Sequence, residues 1–260
     1  MIGTIPTYVV IALIIISLLG GIGITAIGPG GIFITLFMFS FLSITSAEVA
    51  GTASFTFVFA GILATWLYFR SGDFRIQNGL TAAIILSVTG LVGAYLGSLA
   101  NVITSDRLFG YLLSMFVFMM AIIILYREYV GLKQLDIFMN ETSLTKQIIL
   151  GVFGIIIGFF GGMLGVGGPV LAVPVLLILG VPLLSALAIA QVQSIFISSF
   201  ASYGYIRNEA VLFDLAILVG LPQLFGVYVG WRIAHKIRPH ILRPILAIAL
   251  ILATPIILLW

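Results

Sequence analysis

The chain has 260 residues, 62% of them hydrophobic and 7% charged, with a net charge of +3. A soluble domain carries roughly 25% charged residues, so a water-facing surface is excluded and the chain belongs in a bilayer. It has no cysteine, which removes disulfides, thiol catalysis and thiolate metal sites.

In chain order, apolar segments are predicted at 6–27, 31–44, 46–69, 77–100, 107–126, 147–164, 168–181, 183–206, 211–234 and 241–259. Continuous runs without period-2 alternation mean helices and exclude a β-barrel. The N-terminal run lacks a basic region and a small-residue cleavage site, so it reads as a first membrane helix rather than a signal peptide. The second and seventh runs, at about 14 residues, rise only ~21 Å as helix against a ~30 Å hydrocarbon core. The strongly polar stretch is 127–146, with Lys133, Asp136, Asn140 and Glu141. It is expected to link a first half, 1–126, to a second, 147–260.

The halves repeat. Residues 27–34 read Ile-Gly-Pro-Gly-Gly-Ile-Phe-Ile and 164–171 read Leu-Gly-Val-Gly-Gly-Pro-Val-Leu, each before a short run. Arg70 and Arg207 keep the spacing of Gly28 and Gly165, and Gly-Ala-Tyr-Leu-Gly from Gly93 matches Gly-Val-Tyr-Val-Gly from Gly226. If each glycine turn sends the chain back, nine basic residues share one face (Arg70, Arg75, Arg127, Lys133, Lys146, Arg232, Lys236, Arg238 and Arg243), leaving Arg107 and Arg207 opposite. Without return they split six to five. The positive-inside rule prefers the lopsided answer. The expected fold is therefore an all-α polytopic membrane protein of two inverted five-segment repeats with short broken helices, placed in the cell membrane with both termini outside.

Glycine turns between apolar segments free backbone N–H groups at the start of the next helix. In hydrocarbon such groups survive only where protein or a water-filled cavity covers them. An anion is their natural partner, and glycine lets it approach closely. The N–H groups of Gly30, Gly31 and Ile32 qualify in the first half and those of Gly167 and Gly168 in the second, where Pro169 has no N–H; Gly28 and Gly165 are expected in the same substrate site. The helix dipole supplies up to ~2 kcal/mol, whereas a charge at mid-membrane costs ~2.5–3.5 kcal/mol. Side-chain donors worth ~1.5–3 kcal/mol each are therefore needed. The candidates are Thr52, Ser54 and Thr56 in the third segment and Gln191, Gln193 and Ser194 in the eighth. Valine at Gly30 or Gly167 is expected to block the anion while sparing the fold. Alanine at Gly97, one of the small residues spaced for helix packing, is expected to be milder.

Glu48 and Asp214 sit about a turn inside their segments. Thr45-Ser46-Ala47-Glu48 reads as a capping box, and Glu48 is also a candidate proton-coupling carboxylate. His235 and His240 fall in a basic loop and read as solvated.

Residues 158–182, Gly-Phe-Phe-Gly-Gly-Met-Leu-Gly-Val-Gly-Gly-Pro-Val-Leu-Ala-Val-Pro-Val-Leu-Leu-Ile-Leu-Gly-Val-Pro, resemble the signature of the TauE/SafE sulfite-exporter-like permeases. Ala50-Gly51-Thr52-Ala53-Ser54 is similar to the family's Gly-Thr-Ser segment, and the ends at Tyr68–Gly72 and Tyr205–Asn208 also resemble it. The resemblance implies a permease for small sulfur-containing anions: sulfite, sulfoacetate or other organosulfonates. The second half departs from it, with Ile189-Ala190-Gln191 where the family has Ala-Thr-Ser.

A passive anion channel and a proton-coupled importer are the alternatives to a carrier that exports. An enzyme is not expected, since there is no HExxH and no intramembrane histidine, and neither a dinucleotide motif nor a Walker lysine is present. No cofactor or metal is implied. The expected partners are the anion and membrane lipid, with no nucleic acid.

Overall fold

The computed structural model describes residues 5–74, 79–130 (backbone alone at 127–130), 144–237, 248 and 251. These residues hold nine helices and no strand. They are α1 (Thr7–Ala26), α2 (Gly31–Phe41), α3 (Ser46–Ser71), α4 (Gly79–Val102), α5 (Asp106–Val130), α6 (Leu144–Leu164), α7 (Pro169–Ile178), α8 (Leu183–Arg207) and α9 (Phe213–Ala234). Seven are long and apolar enough to cross a membrane. Most of the 127–146 linker and the tenth segment, 241–259, lie outside the described residues.

Helices α2 and α7 have 11 and 10 residues, so each rises only ~15–16 Å. Helix α2 doubles back along α1. A Cβ added at Gly23 would fall 2.7 Å from Gly30 Cα, and one at Gly20 would fall 2.7 Å from Ile34 Cγ1. Helix α3 starts on the capping box read from the sequence: Glu48 N–H donates to Thr45 Oγ1 at 3.2 Å and Thr45 N–H to Glu48 Oε2 at 2.7 Å. It ends at Gly72, where φ is +84°. Helix α7 opens on Pro169, whose missing N–H costs nothing at a first helical position.

The long helices pack in pairs that cross between the sequence halves. Helix α1 lies parallel to α9, with Gly226 against Leu18 and Gly230 against Ile22. Helix α4 lies parallel to α6, with Gly93 against Ile155 and Gly97 against Phe159. Helices α3 and α8 run antiparallel through the centre: Gly51 meets Tyr205 and Gly61 meets Ile195. The small residues are what permit this approach. A Cβ at Gly97 would lie 2.1 Å from the carbonyl oxygen of Phe159. The packing role expected of Gly97 is thus correct, but backbone faces it and a methyl group there cannot be mild.

The surface left over is apolar, with Leu80, Val92, Met115, Ile217 and Leu221 all more than half exposed. In water that belt would be a large patch; against acyl chains it is the expected exterior.

The two ends of the bundle differ. At one, α3 and α9 finish together: Trp231 Nε1 donates to Ser71 Oγ at 3.5 Å and His235 pairs with Asp73 at 3.1 Å. His235, the C-cap of α9, is exposed as expected and meets Asp73 in the turn after α3, while His240 lies outside the described residues. At the other end, Ser46 N–H donates to Asp106 Oδ1 at 2.7 Å, and Gly51 packs on the Ala210 carbonyl. Arg70, Arg232 and Lys236 fall at the first end, Arg107 and Arg207 at the second.

Candidate functional site

Each glycine turn ends one helix and opens a shorter one. In the first, Gly28 at φ +117° breaks α1, and Gly28 N–H reaches back to Gly23 O at 2.9 Å. In the second, Gly165 at +60° and Gly167 at +79° do the same for α6. Gly30 and Gly168 occupy the N-cap positions, and neither short helix has a side-chain cap. The N–H groups of Gly30, Gly31 and Ile32, and of Gly167 and Gly168, make no hydrogen bond with another described backbone group. These are the donors expected from the sequence.

The turns abut. Thr35 Oγ1, on α2, donates to Gly165 O at 2.5 Å. A Cβ at Gly31 would sit 3.0 Å from Val166 O, and one at Gly28 would sit 3.2 Å from Pro169 O. Phe57 lies beside both, under Gly31 and against Gly167. It is the twelfth of the 26 residues of α3, so the turns meet at mid-helix depth.

Between them is a cavity of about 10 Å³, roughly room for one water. The first half lines it with Ile24, Gly28, Phe57, Ala60 and Gly61, and the second with Val166, Gly167, Pro169, Gln191 and Ser194. Gln191 is fully buried; its Nε2 donates to Ile24 O at 3.1 Å and its Oε1 has no partner. Ser194 is buried against Gly168. A second cavity of about 20 Å³ lies beyond Pro29 against Ile123, Ile124, Val173 and Leu177. No polar side chain lines it, so it has nothing to hold an anion.

Four candidate residues therefore share the cavity wall: Gly28, Gly167, Gln191 and Ser194. Gly31 and Gly168 stand just behind it. Gly30 instead presses on α1, where its Cβ would fall 2.4 Å from Gly20 O and Ile24 N. Valine there would break the helical hairpin before blocking an anion, contrary to the expectation of a spared fold. Gly165 packs on Ala50 in the same manner. Thr52 Oγ1 accepts from Leu212 N–H at 3.1 Å and so caps α9. Ser54 is buried on α3 outside the cavity lining. Thr56 back-bonds to Ala53 O at 2.9 Å, as hydroxyls in membrane helices commonly do. Gln193 reaches Leu86 O at 3.3 Å on α4. Glu48 is engaged in its capping box at the start of α3, and Asp214 lies in the first turn of α9.

Sequence reasoning missed Phe57 and Gln223. Phe57 holds the repeat position that Ser194 holds in the second half, so carrying the repeat residue by residue would have found it. Gln223 is a fully buried amide on α9 with both polar ends unpartnered. Its carbonyl is packed against Gly21 of α1. Nothing in the sequence repeat marks it, because its counterpart is Gly90.

Residues 7–255 match the family described as Sulfite exporter TauE/SafE. The chain belongs to this family. No curated protein and no solved structure matches it. It is accordingly a multi-pass membrane protein of a transporter family whose description names sulfite export. Within that family the site described above joins two glycine turns, one buried amide and one buried hydroxyl at half the depth of the bundle.

Proposed function

We propose that the chain is a secondary transporter that carries a small sulfur-containing anion, such as sulfite, sulfoacetate or another organosulfonate, out of the cell by alternating access. The carrying observation is that two glycine turns, each opening a short helix whose first N–H groups are unbonded, abut at one mid-depth cavity. Dipole, backbone donors and close glycine approach all favour negative charge there. At about 10 Å³ the cavity is smaller than any oxyanion, so loading it requires the helices to move. A carrier must move in that way, and an open pore need not.

The reading includes two inverted repeats, 1–126 and 147–260, joined by a cytoplasmic linker at 127–146. Support comes from the exchange of packing partners, α1 with α9 and α4 with α6, and from the opposite directions of α3 and α8. Such repeats place the site at their interface. The grouping of Arg70, Arg232 and Lys236 away from Arg107 and Arg207 supports a cytoplasmic face at the end of α3 and both termini outside.

Direction follows from energetics. A potential of 100 mV, negative inside, favours outward movement of an anion by ~2.3 kcal/mol per charge, so export needs no coupling ion. Among the described residues no carboxylate lines the cavity, which weighs against proton-coupled uptake. Flux of sulfite and sulfoacetate in proteoliposomes under a potassium–valinomycin potential tests the reading. Saturable flux with counter-substrate exchange, accelerated by the potential, is expected. Unsaturable flux would make the protein a channel. Flux that ignores the potential, follows an imposed pH gradient and vanishes in Glu48→Gln would make it a proton-coupled importer.

A further inference from the structure

The cavity wall is mostly apolar; its donors are the Gly167 N–H and the Ser194 hydroxyl, whereas Gln191 offers an acceptor. Its orientation is set by α1. Because Gly28 N–H bonds Gly23 O, the carbonyl of Ile24 is left for Gln191 Nε2 at 3.1 Å. Turning the amide over would put Oε1 against that carbonyl oxygen and lose the bond. Oε1 is therefore the free end, fully buried and without a partner. A buried acceptor in that state is costly until a donor arrives. An anion stripped of all its protons brings only acceptors, so it satisfies the turn N–H groups and leaves Oε1 facing negative charge.

Resting on the reading of this cavity as an anion site, we infer that Gln191 selects anions carrying a hydrogen-bond donor of their own. The site takes the hydrogen-bearing monoanion of a sulfur oxyanion, or a sulfonate with its own O–H or N–H, in preference to the bare dianion or a donor-free sulfonate. The bound anion's hydrogen is donated to Gln191 Oε1 while its charged oxygens meet the N–H groups of Gly31, Gly167 and Gly168. A hydrogen-bearing anion that leaves the cell takes its proton along, so flux depends on pH with no titrating side chain.

The surroundings fit that reading. Helices α2 and α7 hold no ionisable residue, and α1 holds only Tyr8, at its far end. On α3, Glu48 is in the capping box, Tyr68 donates its hydroxyl to Thr25 O, and Arg70 lies in the last turn. On α8, Tyr205 donates to Gly162 O, and Tyr203 and Arg207 bond each other at the helix end. None of these lines the cavity. A pH dependence centred on the substrate's own dissociation therefore belongs to the substrate.

The test uses the full chain in proteoliposomes at equal pH on both sides, with no potential. At constant total sulfite, exchange should follow the hydrogen sulfite fraction and fall about tenfold per pH unit above the second dissociation. Hydroxyethanesulfonate, which keeps its O–H at every pH, should exchange at a pH-independent rate about tenfold faster than ethanesulfonate, the effect of satisfying one buried neutral acceptor. In Gln191→Leu the ratio of those two rates should collapse toward one. If that variant fails to insert, the two wild-type measurements still decide. Sulfite exchange that is flat with pH or follows the dianion, or equal rates for the two sulfonates, overturns the inference while leaving the transporter intact. If no anion exchanges saturably at any pH, the transporter reading itself falls.

Discussion

The two walls of the cavity share a backbone plan and differ in chemistry. Each consists of a helix broken by glycine, a short helix that starts beside the break, and the middle of a long helix behind it. The first wall adds apolar side chains, Ile24, Phe57 and Ala60; the second adds Gln191 and Ser194. The backbone differs in the opposite sense, since Ile32 keeps an N–H at the repeat position where Pro169 has none. On the proposed reading both helix ends would face the anion, and side-chain recognition would fall on the half that has one backbone donor fewer.

If the shared plan is what holds the bundle together, breaking it in either half should have the same large effect. A Cβ at Gly97 would meet Phe159 O at 2.1 Å, and one at Gly230 would meet Ile22 O at 2.3 Å. Both contacts are with backbone, which cannot step aside as a side chain can. Gly97→Ala and Gly230→Ala are each expected to cost at least about 1–3 kcal/mol, as overpacking does. Loss of the monodisperse peak in detergent should show it. Normal elution of one variant and aggregation of the other would mean that the two halves do not share a frame.

That result also marks what the sequence disclosed. Segment limits were legible to within about four residues: 6–27 against Thr7–Ala26, but 107–126 against Asp106–Val130 and 168–181 against Pro169–Ile178. Long apolar runs, glycine breaks and the Thr45–Glu48 box are local signals, and local signals survive in sequence. Facing is not local. In a soluble helix polarity separates the inside from the outside, but here Phe57 in the cavity wall and Phe59 toward the exterior are written in the same letter. For the same reason the sequence could not tell that Thr52 caps α9, that Gly30 packs on α1, or how little space Gly97 has. Gln191 stood out because an amide in an apolar helix is rare whichever way it faces.

The difference between the walls can be tested by erasing it. Ser194→Phe gives the second wall the residue of the first. The ring would enter a cavity of about 10 Å³ beside Gly168, so the anion would lose its place while the helix pairs remain. Anion exchange should fall by about 100-fold or more, the scale of loss when a bound group is misplaced by an ångström. Overpacking should lower the melting temperature, so a monodisperse peak in detergent is the check that the bundle still assembles. Retained exchange would move the site away from these turns.

A smaller test asks whether the ends of the broken helices are held equally. Tyr68 and Tyr205 occupy matching repeat positions, and both are fully buried. Tyr68 donates to Thr25 O at 2.5 Å, and Tyr205 to Gly162 O at 2.8 Å. Each ties the third helix of a half to the last turn before its glycine break. The ties are not equally backed. Tyr205 Oη also lies 3.3 Å from Met163 O, which in addition receives Asn101 Nδ2 at 2.6 Å. The last turn of α6 therefore remains held from α4 when the hydroxyl is removed. Thr25 O has Tyr68 as its side-chain donor, and the further bond from Thr25 Oγ1 to Val227 O at 2.8 Å leaves that carbonyl without a substitute. Hydrogen bonds between membrane helices average about 0.6 kcal/mol and reach about 1.7. Tyr68→Phe should fall near the upper figure and Tyr205→Phe near the lower. In a chain of this size 1 kcal/mol moves the melting temperature by roughly 2–4 °C. Thermal unfolding in detergent should therefore place Tyr68→Phe a few degrees below Tyr205→Phe, with the parent highest. The reverse order would mean that the Asn101 bond does not brace α6 and that the two breaks are held alike.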